Sequence, residues 1–229
     1  MRRILDAKNK VTKRDDKEHL DPFEKDNQLI MVGCLTEDGN EYLFHHGTGF
    51  DGVQQLLDST TILVGHNISY DLMWLWECGF KYDGDVFDTM LVEYIMLRGQ
   101  KKPLSLEACA ERYSLHTQKK DTLKEYFKKG LGVDDVPKEE LSEYLSADLN
   151  ATKELSDALY KKLNDDEHSG LVATVNHTNR VALTLANIYK RGFNVDTKSL
   201  KQVQSEFEKE KADVEKRLSS QVKKLMGDT

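Results

Sequence analysis

The sequence has little cysteine, no long apolar run and no surplus of basic residues, and each shortage removes a class of protein. Three cysteines in 229 residues are odd in number. Cys34, Cys78 and Cys109 each lie in an apolar segment without a C-x-x-C spacing, so buried thiols are expected rather than disulfides or zinc ligands. No stretch approaches the roughly 18 consecutive apolar residues of a membrane-spanning helix, so no membrane is expected as a partner. Met1-Arg2-Arg3 is followed by only two apolar residues before Asp6, too few for the apolar region of a secretory signal; a cytoplasmic location is the expectation. The formal net charge of -7 argues against a protein that coats duplex DNA by charge alone, because that mode needs many Lys and Arg contacts to phosphates. An enzyme that grips a few terminal nucleotides through metal ions stays open, since the ions supply local positive charge. Internal repeats and low-complexity segments are also lacking. With 38% hydrophobic and 32% charged residues, the chain suits one sizeable core plus an appendage.

Residues 64–75, V-G-H-N-I-S-Y-D-L-M-W-L, carry the first candidate chemistry. Ile62, Leu63 and Val64 form an apolar run bounded by Gly65, and Leu72, Trp74, Leu75 and Trp76 recur beyond Asp71, a pattern of strand, turn and helix. Asn67 and Asp71 stand at that turn, and ligands of open α/β sheets gather at the carboxyl ends of strands. The same residues also fit a plain helix start, with Asn67 or Ser69 as cap and Asp71 favoured by the helix dipole. In residues 138–155, Leu141, Leu145, Leu149 and Leu155 are spaced as a helix, and Tyr144 and Asp148 stand one turn apart on one face. A phenol and a carboxylate so placed suit a metal ion and its water, and such pairs also occur on ordinary helices. Near the N-terminus, residues 3–8 read as a short strand, in which positions two apart share a side. Asp6 and Lys8 are such a pair.

Elsewhere short apolar runs alternate with turns. Residues 9–28 are polar and read as a long excursion anchored by Asp21-Pro22-Phe23. Leu29–Leu35 and Glu41–His45 flank the turn Thr36-Glu37-Asp38-Gly39-Asn40 and predict a hairpin. Phe50, Val53, Leu56 and Leu57 predict a short helix, residues 61–64 a strand, residues 86–89 another, and residues 91–97 a helix. Ser105 is the predicted cap of a further helix. Residues 118–129, polar and lysine-rich, read as a mobile segment near the site, either a grip on a nucleotide backbone or a solvated loop. Residues 171–188 suggest a buried helix, stopped by Gly192. Beyond Asn194-Val195-Asp196-Thr197, a charged helix carries Leu200, Val203, Phe207, Val214, Leu218, Val222 and Leu225 mostly three and four apart; it fits a coiled coil or packing on a further domain.

Taken in order, Asn67 through Asp71 and Tyr144 through Asp148 resemble the second and third motifs of the DEDD exonucleases, in the branch whose last motif carries tyrosine. Asp6 matches the aspartate of the first motif, Asp-x-Glu, and Lys8 stands where that motif has glutamate. Leu20-Asp21-Pro22-Phe23, Gly65-His66-Asn67, Asp88-Thr89, Leu104-Ser105-Leu106 and Lys190-Arg191-Gly192-Phe193-Asn194-Val195-Asp196 extend the resemblance over nearly the whole chain. It is similar to the proofreading 3'-5' exonuclease region of a family A DNA polymerase of the bacteriophage kind. The resemblance implies an α/β fold, a ribonuclease H-like mixed central sheet flanked by helices, with a C-terminal helical extension. It makes residues 1–165 the exonuclease domain and residues 166–229 a segment resembling the start of a polymerase domain. Palm and finger motifs are absent, which fits a piece of a longer polymerase or the product of a split gene. A stand-alone exonuclease resembling ribonuclease D or a helicase-linked exonuclease shares the motifs, but the Gly-Phe-x-Val-Asp segment argues against it.

The resemblance further implies two divalent cations, Mg²⁺ or Mn²⁺, about 3.5 to 4 Å apart on the scissile phosphate of a single-stranded DNA 3' end. By position Asp6 would bridge both, Asp148 would hold the ion carrying the attacking water, and Asp71 would hold the second. Tyr144 would orient the nucleophile, Asn67 would position the nucleotide, and His66 would either position it too or make a structural hydrogen bond. A polymerase domain or subunit is the implied partner and a phage-infected bacterial cytoplasm the implied location. Lys8 conflicts with this chemistry, since an ammonium offers no lone pair to a metal. Two hypotheses follow: a working or residually active nuclease, or a catalytically silent module that binds single-stranded 3' ends or serves as a polymerase spacer.

Overall fold

A computed structural model describes residues 2–7, 12–14, 17–19, 22–23, 27–117, 123–129 and 131–226, and of those up to residue 19 the backbone alone. Lys8 and residues 118–122 lie outside this set. Packing divides the chain into a unit ending at Lys190 and a second unit starting at Arg191.

The first unit is built on β1 (Arg2–Ala7), β4 (Leu29–Leu35), β5 (Glu41–His45), β6 (Ile62–Gly65) and β7 (Asp85–Asp88), in the order β5-β4-β1-β6-β7. β4 and β5 are the expected hairpin, antiparallel from Met31–His45 to Leu35–Glu41. β1 runs antiparallel to β4 and parallel to β6, and β6 parallel to β7, so the sheet is mixed. β4 is buried at every position, as a strand flanked on both sides and covered on both faces should be. One face of the sheet packs under α1 (Val53–Asp58) and α2 (Ile68–Glu77), through Val53, Leu57, Leu72, Trp74 and Leu75. The other carries α6 (Lys138–Leu163), a helix of seven turns whose Leu141 and Leu145 meet Ile30 and Met31 of β4. Further along, Leu155 and Leu159 of α6 pack with Val92 of α3 (Thr89–Met96), Cys109 of α4 (Leu106–Arg112) and Val175 of α7 (Val172–Arg191). Ser105 caps α4 by accepting from the Ala108 N–H at 3.3 Å.

Several expectations need correction. Within residues 9–28 the backbone forms a small hairpin, β2 (Thr12–Arg14) against β3 (Lys17–His19). Leu123–Lys128, read as part of a mobile lysine-rich segment, is a helix, α5; Leu123 is buried beside Val133 and Val136, an apolar contact that the surrounding lysines hide from composition. α7 is not a buried helix: Val175 and Ala186 point inward, but Val181, Leu185 and Ile188 are exposed. Its apolar residues cover more than one face, and only one face meets the sheet side of the unit. Cys34 and Cys109 are buried free thiols, whereas Cys78 is exposed, because it is the C-cap of α2, where the chain turns through Gly79.

The second unit is essentially one helix, α8 (Thr197–Met226). Asp196 starts it, its carboxylate accepting from the Lys198 and Ser199 N–H groups at 3.0 and 3.1 Å and from the Ser199 hydroxyl at 2.7 Å. These donors hold the Asp196 carboxyl below the usual range. Leu200, Val203, Phe207, Val214, Leu218, Val222 and Leu225 are all exposed. No helix among the described residues is long and apolar enough to cross a membrane.

Candidate active site

The turn after β6 is held from beneath by one buried carboxylate. Asn67, the N-cap of α2, sits in the left-handed region at φ 62° and ψ 48° without a side-chain capping bond, a conformation that costs a non-glycine residue about 1 kcal/mol or more. Asp88, at the end of β7, accepts from the Asn67 and Ile68 N–H groups, both at 3.0 Å, and from those of Met90 and Leu91 at 3.0 and 3.3 Å. A single side chain thus caps α3 and clamps the start of α2. Burial pushes its carboxyl above the ordinary carboxylate range, and the four N–H donors pull it back.

His66 bolts the same turn to its neighbours. Its Nε2 lies 2.7 Å from the Leu104 carbonyl oxygen, which can only accept, so Nε2 carries a proton. Its Nδ1 lies 2.9 Å from the Thr89 hydroxyl, itself 3.0 Å from the Gly65 carbonyl. The Leu104 segment is fixed in turn by Arg112, which donates to the Pro103 carbonyl at 2.6 Å and pairs with the buried Glu93. Tyr113 donates to the other Glu93 oxygen at 2.6 Å, and burial with that carboxylate raises its phenol pKa. A connected polar network therefore runs from α4 through α3 to the turn bearing Asn67.

Asp71, one turn into α2, is 6% exposed, and Asp148, on α6, is 3% exposed. Tyr144, one turn before Asp148, is half-buried against the cluster of Ile30, Met31 and Leu145. The depth of this part of α6 is set by Gly33 of β4: a Cβ there would stand 2.9 Å from Leu145 Cγ and Leu149 Cδ1, the residues on either side of Asp148. Only a residue without a side chain lets α6 approach so closely. Gly33→Ala is therefore expected to destabilise the protein by about 1–3 kcal/mol through overpacking. A denaturant titration would show it, and a change below about 0.5 kcal/mol would mean that α6 has room to retreat.

β1 carries Asp6. α2 and α6 both pack against β1, and Asp6 pairs with Met31. The next pair, Ala7 with Leu29, skips Ile30, a bulge on β4 beside Asp6 of the kind that re-aims a strand's side chains. Because Arg2 pairs with Val64, Asp6 lies four residues, about 13 Å, beyond that point, alongside the start of α2. Asp6 is thus carried on the strand against which both the helix of Asp71 and the helix of Asp148 pack. Among the described residues no group of three or more His, Cys, Asp or Glu forms a metal cluster; the Asp6 side chain and Lys8 are outside that set. As a donor set, buried carboxylate oxygens suit hard divalent ions such as Mg²⁺ and Mn²⁺.

Sequence reasoning missed two positioning residues. Asp88 carried a signal, an aspartate directly ahead of a helix, but its second task of holding Asn67 is a long-range contact. Gly33 also carried one, an isolated glycine inside an apolar strand, without saying which helix came close.

A mixed sheet with helices on both faces, and a buried aspartate on a helix of each face, defines a ribonuclease H-like fold. The sequence profile of a 3'-5' exonuclease family matches residues 16–164, and the chain belongs to that family. Similar folds occur in the POL domain of Pol1 from M. smegmatis, solved in complex with DNA primer-template and dNTP, at 21% identity and a TM-score of 0.60 over 82% of this chain. NrnC from Brucella melitensis with bound Mg²⁺ matches at 17% identity and a TM-score of 0.60 over 83% of this chain. The chain spans 30% of the length of the polymerase and 85% of that of NrnC. No curated protein sequence matches it.

Proposed function

We propose that this chain is the proofreading 3'-5' exonuclease part of a family A DNA polymerase, acting on single-stranded 3' ends and impaired by Lys8. The observation that carries the proposal is the pair of buried carboxylates, Asp71 and Asp148, on two helices that flank the strand bearing Asp6. In this proposal Asp6, Asp71 and Asp148 hold two divalent ions, Mg²⁺ or Mn²⁺, which when bound would neutralise the scissile phosphate and activate water. Tyr144 orients the nucleophile from one turn before Asp148. Asn67 faces the terminal nucleotide; His66, with both ring nitrogens against protein groups, keeps the turn in place and reaches substrate only through its ring carbons. Residues 1–165 form the exonuclease domain and residues 166–229 begin a polymerase part, a reading supported by the exposed apolar stripe of α8, which is suited to cover by a further domain.

A silent module that binds 3' ends without cutting them is the second reading, favoured by Lys8 alone. The test is a 5'-labelled single-stranded oligonucleotide incubated with Mn²⁺. Slow shortening from the 3' end, abolished by Asp148→Ala, is the expected outcome; unchanged shortening by that variant would remove Asp148 from the mechanism. Binding of the oligonucleotide with no shortening at all would establish the silent module instead.

A further inference from the structure

At the amino ends of β6 and β7, about 10 Å along the strand from Gly65, which precedes the turn of Asn67, a cavity opens between the sheet edge, the end of α6 and α7. It measures about 420 Å³, within the range of small-molecule pockets. Ile62 and Phe87 line its apolar side, together with the ring of Tyr160, which is 65% exposed. Facing them, α7 presents Asn176, Asn179 and Arg180, at positions i, i+3 and i+4 of one helix face. None of these three side chains hydrogen-bonds or ion-pairs with a described residue. Asn179 is the telling one. It is 3% exposed, and its carboxamide oxygen is fully buried without a partner. A buried amide left unsatisfied works against folding and calls for an explanation, since a leucine of similar size would pack there at no such cost.

We infer that this cavity is a binding site for an adenine nucleotide, separate from the nuclease site and independent of the exonuclease proposal. A carboxamide offers a donor and an acceptor side by side, the pattern that pairs with the amino group and ring nitrogen of adenine. The Tyr160 ring offers a stacking surface. Arg180, without a carboxylate partner, offers a charge-assisted fork to a phosphate. Asp85, also on the wall, disfavours a bare anion and accepts from an amino group. The ligand is then a planar base with a donor edge and one phosphate, either free or at the end of a strand.

The experiment is a calorimetric titration of the whole chain in EDTA, which silences metal-dependent binding at the nuclease site. The probes are dAMP, dTMP, deoxyadenosine, inorganic phosphate and a short oligo-dA. Saturable dAMP binding is expected, about tenfold tighter than that of dTMP or deoxyadenosine. It should survive Asp148→Ala and be lost in Asn179→Leu, while Asn179→Leu raises the melting temperature because it removes the unsatisfied amide. Tyr160→Ala and Arg180→Gln, both at exposed positions, should each weaken binding by about tenfold, which keeps the test decisive if Asn179→Leu folds poorly. Oligo-dA binding as tightly as dAMP and responding to the same variants identifies a strand end as the source; weaker binding identifies the free nucleotide. No saturation by dAMP or oligo-dA at millimolar concentration, equal affinity for inorganic phosphate, or binding lost in Asp148→Ala and kept in Asn179→Leu would each overturn the inference. Because nothing is cleaved in EDTA, these results stand apart from success or failure of the exonuclease proposal.

Discussion

Replacing Lys8 with glutamate is expected to raise Mn²⁺-dependent digestion of a single-stranded 3' end by about a thousandfold. The reasoning starts from charge. Two divalent ions bring +4; Asp6, Asp71 and Asp148 contribute -3 and a protonated Lys8 adds +1, leaving -2 where Asp6, a glutamate at residue 8, Asp71 and Asp148 would give -4. At an effective dielectric near 20, two like unit charges about 4 Å apart repel by roughly 4 kcal/mol, about three decades of rate or affinity. The glutamate also restores an oxygen ligand that an ammonium lacks. Initial rates of 3' shortening for parent and Lys8→Glu across a Mn²⁺ series would measure the effect. The gain should appear as a lower metal requirement together with a faster maximal rate. A variant no faster than the parent at saturating Mn²⁺ would show that the lysine does not limit the reaction.

The second large effect is a loss. Asp88→Ala should lower the unfolding free energy by about 3–5 kcal/mol, because it strands N–H groups of Asn67, Ile68, Met90 and Leu91 beneath the turn, and each buried unpaired donor costs roughly 1–3 kcal/mol when water cannot replace the acceptor. Partial rehydration at the exposed Asn67 end keeps the total below the sum of four. A domain of ordinary stability, about 5–15 kcal/mol, would be brought close to unfolding. Asp88→Asn keeps the shape and one acceptor oxygen, but its amino group faces donors, so an intermediate loss is expected. Urea titration of the three proteins gives the order directly. If Asp88→Ala costs less than about 1 kcal/mol, the clamp is not what holds Asn67 in its left-handed conformation, and the account of the turn fails.

Local periodicity made much of this fold legible. The β4–β5 hairpin follows from two apolar runs around Thr36–Asn40, and α6 from its leucines three and four apart, because each signal is carried by neighbours in the chain. Asn67, Asp71, Tyr144 and Asp148 could be singled out for the same reason: two short motifs, each contained in one turn of structure. α5 was hidden because six residues, three of them charged, are too short to show a period, and α7 was read as buried because hydrophobic content does not say how many faces find a partner.

What the amino-acid sequence determined alone was the order of the five main strands and the longer helices, the family, and the presence of lysine where a metal-binding glutamate would be expected. These are written in residue identity and short spacing. Tertiary structure alone decided that Asp88 reaches back across two elements to hold the turn at Asn67, that Gly33 sets how deeply α6 carries Asp148 toward the sheet, and that Asn179 is buried at a cavity wall without a partner. Each of these depends on which strand lies beside which and how near two surfaces come. That is settled by packing between segments 20 to more than 100 residues apart, and a local pattern does not say which distant segment will be met.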